Sequence, residues 1–156
     1  MENPMNNLLL KATRQGLGLT VAEASELPPI NVQKRTFQYF EAGERAIPDY
    51  VDLTFFTMSS HYNLVLEKML VDIEKATIYP GDDEIKPTIK PVLPFFQTFE
   101  MFQMATECPH IVYWRIYQSV ISHLVLIGKI TKLDDSKRIP DGFEIWKWLQ
   151  GQFEAT

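Results

Sequence analysis

Between Thr77 and Pro94 the chain carries Pro80-Gly81, the acidic run Asp82-Asp83-Glu84, and then Pro87, Pro91 and Pro94. No ordinary helix runs through such a segment. Each proline lacks a backbone N–H, and its ring collides with the turn before it. The spacing predicts a linker or an extended arm, semi-rigid because of its prolines. It divides the chain into an N-terminal domain over residues 1–76 and a C-terminal domain over 95–156.

Before the linker, glycines and prolines cut the sequence into short helices. Asn6–Gln15 predicts the first, with Leu9, Ala12 and Gly16, and also Leu10, Thr13 and Leu17, at helical spacing. Gly16 and Gly18 punctuate it. Thr20 followed three residues later by Glu23 is the capping-box arrangement and predicts a short helix from Val21 to about Glu26. Pro28-Pro29 ends that helix. A third opens at Asn31 or Gln33 and runs to about Glu41. Phe37 and Phe40, helped by Val32, mark its inward side, while Lys34, Arg35, Gln38 and Tyr39 face outward. Gly43 stands where a left-handed cap belongs. Pro48-Asp49 starts a fourth helix carrying Val51, Leu53, Phe55, Phe56 and Met58. A fifth, from about Ser60 to Ala76, has Leu64, Leu66, Met69, Leu70 and Ile73 as an amphipathic stripe. Phe37, Phe40, Phe55 and Phe56 are expected in the core.

Beyond the linker, helices are predicted over Phe95–Glu107, His110–Ile127 and Asp141–Phe153. Pro109 falls in a first turn, where proline is tolerated, and Thr131–Pro140 forms a loop with charge of both signs. The β-branched and aromatic residues of Ile111–Ile121 leave a strand open there. The expected class is all-α.

A content of 46% hydrophobic and 12% aromatic residues can bury a real core, which excludes wholesale disorder. No apolar run reaches the length of a bilayer span; the longest, Val120–Ile130, holds Ser122, His123 and Lys129. Met1–Asn7 lacks the basic and apolar regions of a signal peptide. The single cysteine, Cys108, excludes an internal disulfide framework and fits a reducing compartment. A cytoplasmic protein is expected. The net charge of −5 counts against a broad nucleic-acid surface. Residues 1–60 hold five Lys/Arg against seven Asp/Glu, so any contact with phosphates must come from a local basic patch.

The segment Lys11–Pro48 has the layout of a helix-turn-helix, in which one helix enters the major groove and the preceding helix braces against the backbone. Arginine and lysine suit guanine edges and glutamine suits adenine, so Gln33, Lys34, Arg35 and Gln38 are candidate base readers. Tyr39 suits a thymine methyl or a phosphate. Arg45, just past Gly43, is placed for a phosphate. Residues 8–58 resemble the lambda-repressor and Cro type of helix-turn-helix in four places: Arg14 six residues before Thr20, the turn Leu17–Thr20, the helix end Phe37–Gly43, and Pro48. The resemblance implies that Gln33, Lys34, Arg35 and Tyr39 face DNA, with Gln38 beside them. It also implies that Arg14 and Glu41 form a partly buried ion pair bracing helix one against helix three. The chain departs from the pattern in a turn two residues longer at Pro28-Pro29-Ile30, in Ser25 where alanine is usual, and in Val21 at a position often polar. The whole chain also resembles the bacterial YdiL-like proteins.

Other residues carry less. Cys108, His110 and His123 match no established zinc spacing and lack an obvious fourth ligand. Cys108 with His110 as a nucleophile pair has no shaped pocket to mark it. Neither a metal nor a cofactor is expected, and no enzyme activity. The acidic residues 82–84 read as a solvated loop. The aromatic set Phe95, Phe96, Phe99, Phe102, Tyr113, Trp114 and Tyr117 suits a helical core or a dimer face. The expected function is sequence-specific binding of double-stranded DNA, as a dimeric transcriptional repressor that reads the major groove with helix 33–41. The dimer contact is expected in the C-terminal helices. The alternative is a protein-interaction module, antitoxin-like, that keeps the helix-turn-helix frame without groove binding. A small-molecule effector in the C-terminal half is a further option.

Overall fold

The structure, a computed structural model, describes residues 5–82, 85–135 and 139–154, with side chains as far as residue 151. Asp83-Glu84 of the acidic run, 136–138 of the charged loop, the first four residues of the N-terminal stretch and the Phe153 side chain lie outside the described residues. Two compact units divide at Asn63/Leu64. The described elements are α1 (Asn7–Gly16), α2 (Val21–Glu26), α3 (Lys34–Ala42), α4 (Asp49–Ala76), β1 (Leu93–Pro94), α5 (Phe99–Thr106), α6 (Ile111–Leu126), β2 (Leu133–Asp134) and α7 (Glu144–Glu154). The chain is mostly helical, as expected. The short parallel pair β1–β2 is an addition to the all-α expectation.

In the first unit each helix end has its own chemical cause. The Asn6 side chain accepts from Leu9 N–H at 2.8 Å and caps α1. Thr20 and Glu23 form both bonds of a capping box at the start of α2, at 3.1 and 2.9 Å. The end of α3 is a Schellman motif. Gly43 sits at φ +76°, its N–H donates to Phe40 C=O, and the Glu44 N–H donates to Tyr39 C=O at 3.0 Å. A side chain at Gly43 would be strained by its φ and would meet the Asn7 amide at 3.3 Å. Leu10, Leu17, Ala24, Leu27, Ile30, Phe40 and Val51 are buried together with Phe37, whose ring lies 6.2 Å from Phe40 and 5.9 Å from Phe55. Of the two stripes expected on α1, that of Leu10 and Leu17 faces inward; Leu9 is exposed.

Two expectations for the following helix are corrected. Residues 49–76 form the single helix α4, and no break separates a fourth from a fifth. Hydroxyl side chains along it donate to the helix's own carbonyls, Thr54 to Tyr50 at 2.6 Å and Ser60 to Phe56 at 3.1 Å. That satisfies the hydroxyls without leaving the helix. Phe56 is 66% exposed and not core. Phe55 takes the inward position, and a neighbour one residue on points about 100° away.

In the second unit the proline-rich segment is not a bare linker. Ile78 and Ile89 exchange two backbone bonds of 2.8 Å, and β1 pairs with β2 in the register Leu93–Leu133. The prolines withdraw donors, and side chains of α6 serve two carbonyls at the end of the stretch. Tyr117 donates to Pro94 C=O at 2.9 Å, and Trp114 and Gln118 to Phe96 C=O at 2.8 and 3.1 Å. This extended stretch delays α5, which starts at Phe99 under a Thr98 cap and not at Phe95. Residues 111–121 are helical, because the residues that favoured a strand equally suit a helix buried nearly all round. The last helix starts at Glu144, after a turn at Gly142 with φ +87°. The Asp72 carboxylate, 3% exposed, accepts from the Ile145 N–H at 3.3 Å and so caps α7 from α4. Phe96, Phe102 and Tyr117 pack ring on ring at 5.3–6.2 Å.

Candidate nucleic-acid interface

The loop between α2 and α3 decides what α3 presents. Leu27 and Ile30 are buried anchors, while Pro28 and Pro29 stay exposed on a cis peptide. Ile30 N–H donates to Leu27 C=O at 2.7 Å, and Val32 N–H donates to Ser25 C=O at 2.9 Å. Asn31, at φ 42°, makes the left-handed step that its short amide tolerates. The two extra residues are thus held by backbone bonds and two apolar anchors. Ser25 itself is buried, and its hydroxyl donates to Ala22 C=O at 2.7 Å.

Arg14 and Glu41 meet in a bidentate contact. Arg14 Nε lies 2.6 Å from Glu41 Oε2, a terminal Arg14 nitrogen lies 3.1 Å from Oε1, and the other donates to Leu19 C=O at 2.9 Å. The side chains are 11% and 9% exposed. Asn7 adds a bond from its amide to Glu41 C=O at 3.3 Å. These contacts tie α1 and the turn after it to the end of α3.

With Phe37 and Phe40 turned inward, the other side of α3 is left to solvent. Gln33, Lys34, Arg35 and Gln38 are exposed, and so is Arg45 in the loop beyond. Gln33 is the N-cap of α3 and makes no capping bond through its side chain. Tyr39 differs from the rest: it is half-buried, its hydroxyl accepts from Arg35 Nε at 2.7 Å, and the Arg45 guanidinium lies over its ring at 4.6 Å. Three cationic side chains and three polar ones therefore share one face and its following loop. That composition suits phosphates and base edges. The Arg45 contact was not legible in the sequence, because it depends on the fold-back of the loop at Gly43.

The other candidates do not gather. Cys108 is buried, with its thiol against the His110 carbonyl at 3.6 Å, and burial pushes its pKa up to about 11, away from what a nucleophile needs. His123 is exposed, on the last turn of α6. Among the described residues no three His, Cys, Asp or Glu side chains come together as metal ligands. Among them also, no helix is long and apolar enough to cross a membrane. The aromatic set falls largely inside the second unit: Phe96, Phe102, Tyr113, Trp114 and Tyr117 are all buried.

A family model described as Aca2/YdiL-like matches residues 5–130. The Aca2 repressor of Pectobacterium phage ZF40 is 31% identical over 116 residues, covering 74% of this chain and 89% of that protein.

Proposed function

Because the chain belongs to the Aca2/YdiL-like family, we propose that it is a DNA-binding transcriptional regulator, a repressor like the phage relative. Its first unit acts as a helix-turn-helix of the lambda-repressor type, with α3 in the major groove. The observation that carries this reading is the two-sided α3, with Phe37 and Phe40 buried and Gln33, Lys34, Arg35 and Gln38 exposed in succession. The positive end of the α3 dipole adds a favourable field for phosphates at Gln33. Lys34, Arg35, Gln33 and Gln38 contact base edges or the adjacent backbone, and Arg45 holds a phosphate. The protein is a cytoplasmic regulator and not an enzyme in this reading.

The experiment is a salt titration of duplex binding with Arg45→Ala. Loss of one phosphate contact lowers affinity for all sequences about equally and reduces the slope of log K against log salt by roughly 0.9. An effect confined to one base position would contradict the phosphate role. Absence of binding by the unsubstituted protein at low salt would contradict the function. That last result favours the second reading, an interaction module, for which the net charge of −5 is the supporting observation.

Two half-sites call for two copies, so a homodimer is part of the proposal, with its contact in the second unit. The buried rings named above are committed to that unit's own core. Apolar side chains left for a contact include Leu126 and Ile127, which are 85% and 49% exposed. A dilution series by analytical ultracentrifugation is expected to show a species of twice the 18.1 kDa chain mass; the single-chain mass at every concentration would contradict it.

A further inference from the structure

We propose that Tyr39 is a positioning residue that holds Arg35 and Arg45 together as one preordered pair, and that its own side chain does not read DNA. The inference rests on the DNA-binding reading and adds a division of labour within it. Arg35 and Tyr39 are four apart on α3 and so share a face. The Tyr39 hydroxyl accepts the Arg35 Nε–H at 2.7 Å. Using Nε in this way leaves the two terminal nitrogens of Arg35 as the outward pair, the pair that meets O6 and N7 of a guanine. The Arg35 guanidinium carbon also lies over the ring, 5.6 Å from its centre and near the outer limit of a cation–π contact, so the hydroxyl bond is the closer of its two contacts with Tyr39. Arg45 is held differently. Its guanidinium lies 4.6 Å from the ring centre, well inside the range of a cation–π contact of about 6 Å. Its backbone N–H also donates to Tyr39 C=O at 3.3 Å, beside the Glu44 N–H at 3.0 Å. One residue thus fixes a long cation on the helix through its hydroxyl and a second cation in the loop through its ring and carbonyl.

The physical gain is preorganisation. An arginine free in solvent loses rotamer freedom when it binds, and one already held loses less. The two arginines carry different jobs, base and phosphate, so the hydroxyl and the ring of Tyr39 are separable by substitution. Tyr39→Phe keeps the ring and removes the acceptor. It is expected to lower discrimination at the base pair read by Arg35 by about 5-fold to 10-fold, the worth of one hydrogen bond, with the salt slope unchanged. Tyr39→Leu removes both supports, and in addition weakens binding to every sequence and flattens the salt slope. In an Arg35→Ala background, Tyr39→Phe should have no further effect on discrimination.

The test is affinity and salt dependence for these variants on duplexes differing at single positions. It is joined by NMR of the free protein, which reports the Arg35 Nε–H as protected from exchange in the unsubstituted protein and unprotected in Tyr39→Phe. Thermal unfolding of Tyr39→Phe controls for stability. Loss of discrimination on Tyr39→Phe that vanishes in the Arg35→Ala background supports the proposal. An equal loss in both backgrounds makes Tyr39 a direct contact and overturns it. So does a Tyr39→Phe variant that matches the unsubstituted protein. If the unsubstituted protein binds no duplex while the Nε–H is protected, the DNA reading fails and the arginine pairing stands as geometry alone.

Discussion

Arg14→Ala is expected to lower the unfolding free energy of the first unit by about 3–5 kcal/mol, the usual cost of removing one partner of a buried ion pair. The side chains of Arg14 and Glu41 are 11% and 9% exposed, so water replaces only part of what the carboxylate left behind loses. The Leu19 carbonyl loses its donor in the same step. Against a total domain stability of about 5–15 kcal/mol, such a loss leaves a unit close to unfolding at ambient temperature. Glu41→Ala should cost a similar amount for the mirrored reason. The paired replacement Arg14→Met with Glu41→Leu separates the charge from the packing. It removes both charges and keeps most of the apolar volume, so it should recover a large part of the loss. Chemical denaturation followed by circular dichroism measures all three. A single variant within about 0.5 kcal/mol of the unsubstituted protein, the range of an ordinary surface change, would mean that the pair does not brace α1 against α3.

The second large effect lies on the outer face of α3 and concerns binding, not folding. Lys34→Ala with Arg35→Ala should leave stability nearly unchanged, because both side chains are exposed. It should remove selective DNA binding. A bidentate arginine contact to a guanine is worth about 1–3 kcal/mol of discrimination, and each lost phosphate contact flattens the salt dependence by roughly 0.9. The net charge of −5 gives the rest of the chain no general attraction for phosphates to compensate. The expected outcome by fluorescence anisotropy is a preferred duplex bound no better than an arbitrary one. If the double variant keeps its preference, α3 is not the reading helix. If it instead unfolds, the two residues belong to the frame.

Much of the first unit was legible because its signals are local. Thr20 and Glu23 are three apart and form the capping box that spacing implies. Gly43 takes the positive φ that a left-handed cap requires, and Phe37 and Phe40 face inward as helical period dictates. Arg14 and Glu41, 27 residues apart, were paired only through resemblance to a family, and the structure brings them to 2.6 Å. The features that escaped are those fixed by partners distant in sequence. Nothing near Pro94 announces that Asp134 lies beside it, or that Tyr117 and Trp114 from α6 serve the carbonyls of residues 94 and 96. The unbroken α4 escaped because the residues near Ser60 carry no local signal that joins the two predicted helices into one. Phe56 escaped because four apolar residues in six leave the inward pair ambiguous. Within the candidate interface, the outward face of α3 was readable from period alone. The joining of Arg35, Tyr39 and Arg45 was not, because Arg45 reaches the ring only through the turn at Gly43.

Selection of bound duplexes from a random DNA pool is the most direct test of the claim that α3 reads a sequence. Enrichment of a palindromic site is expected with the unsubstituted protein, and none with the Lys34→Ala, Arg35→Ala variant. A pool that stays random with the unsubstituted protein at low salt, where phosphate contacts are strongest, would contradict it.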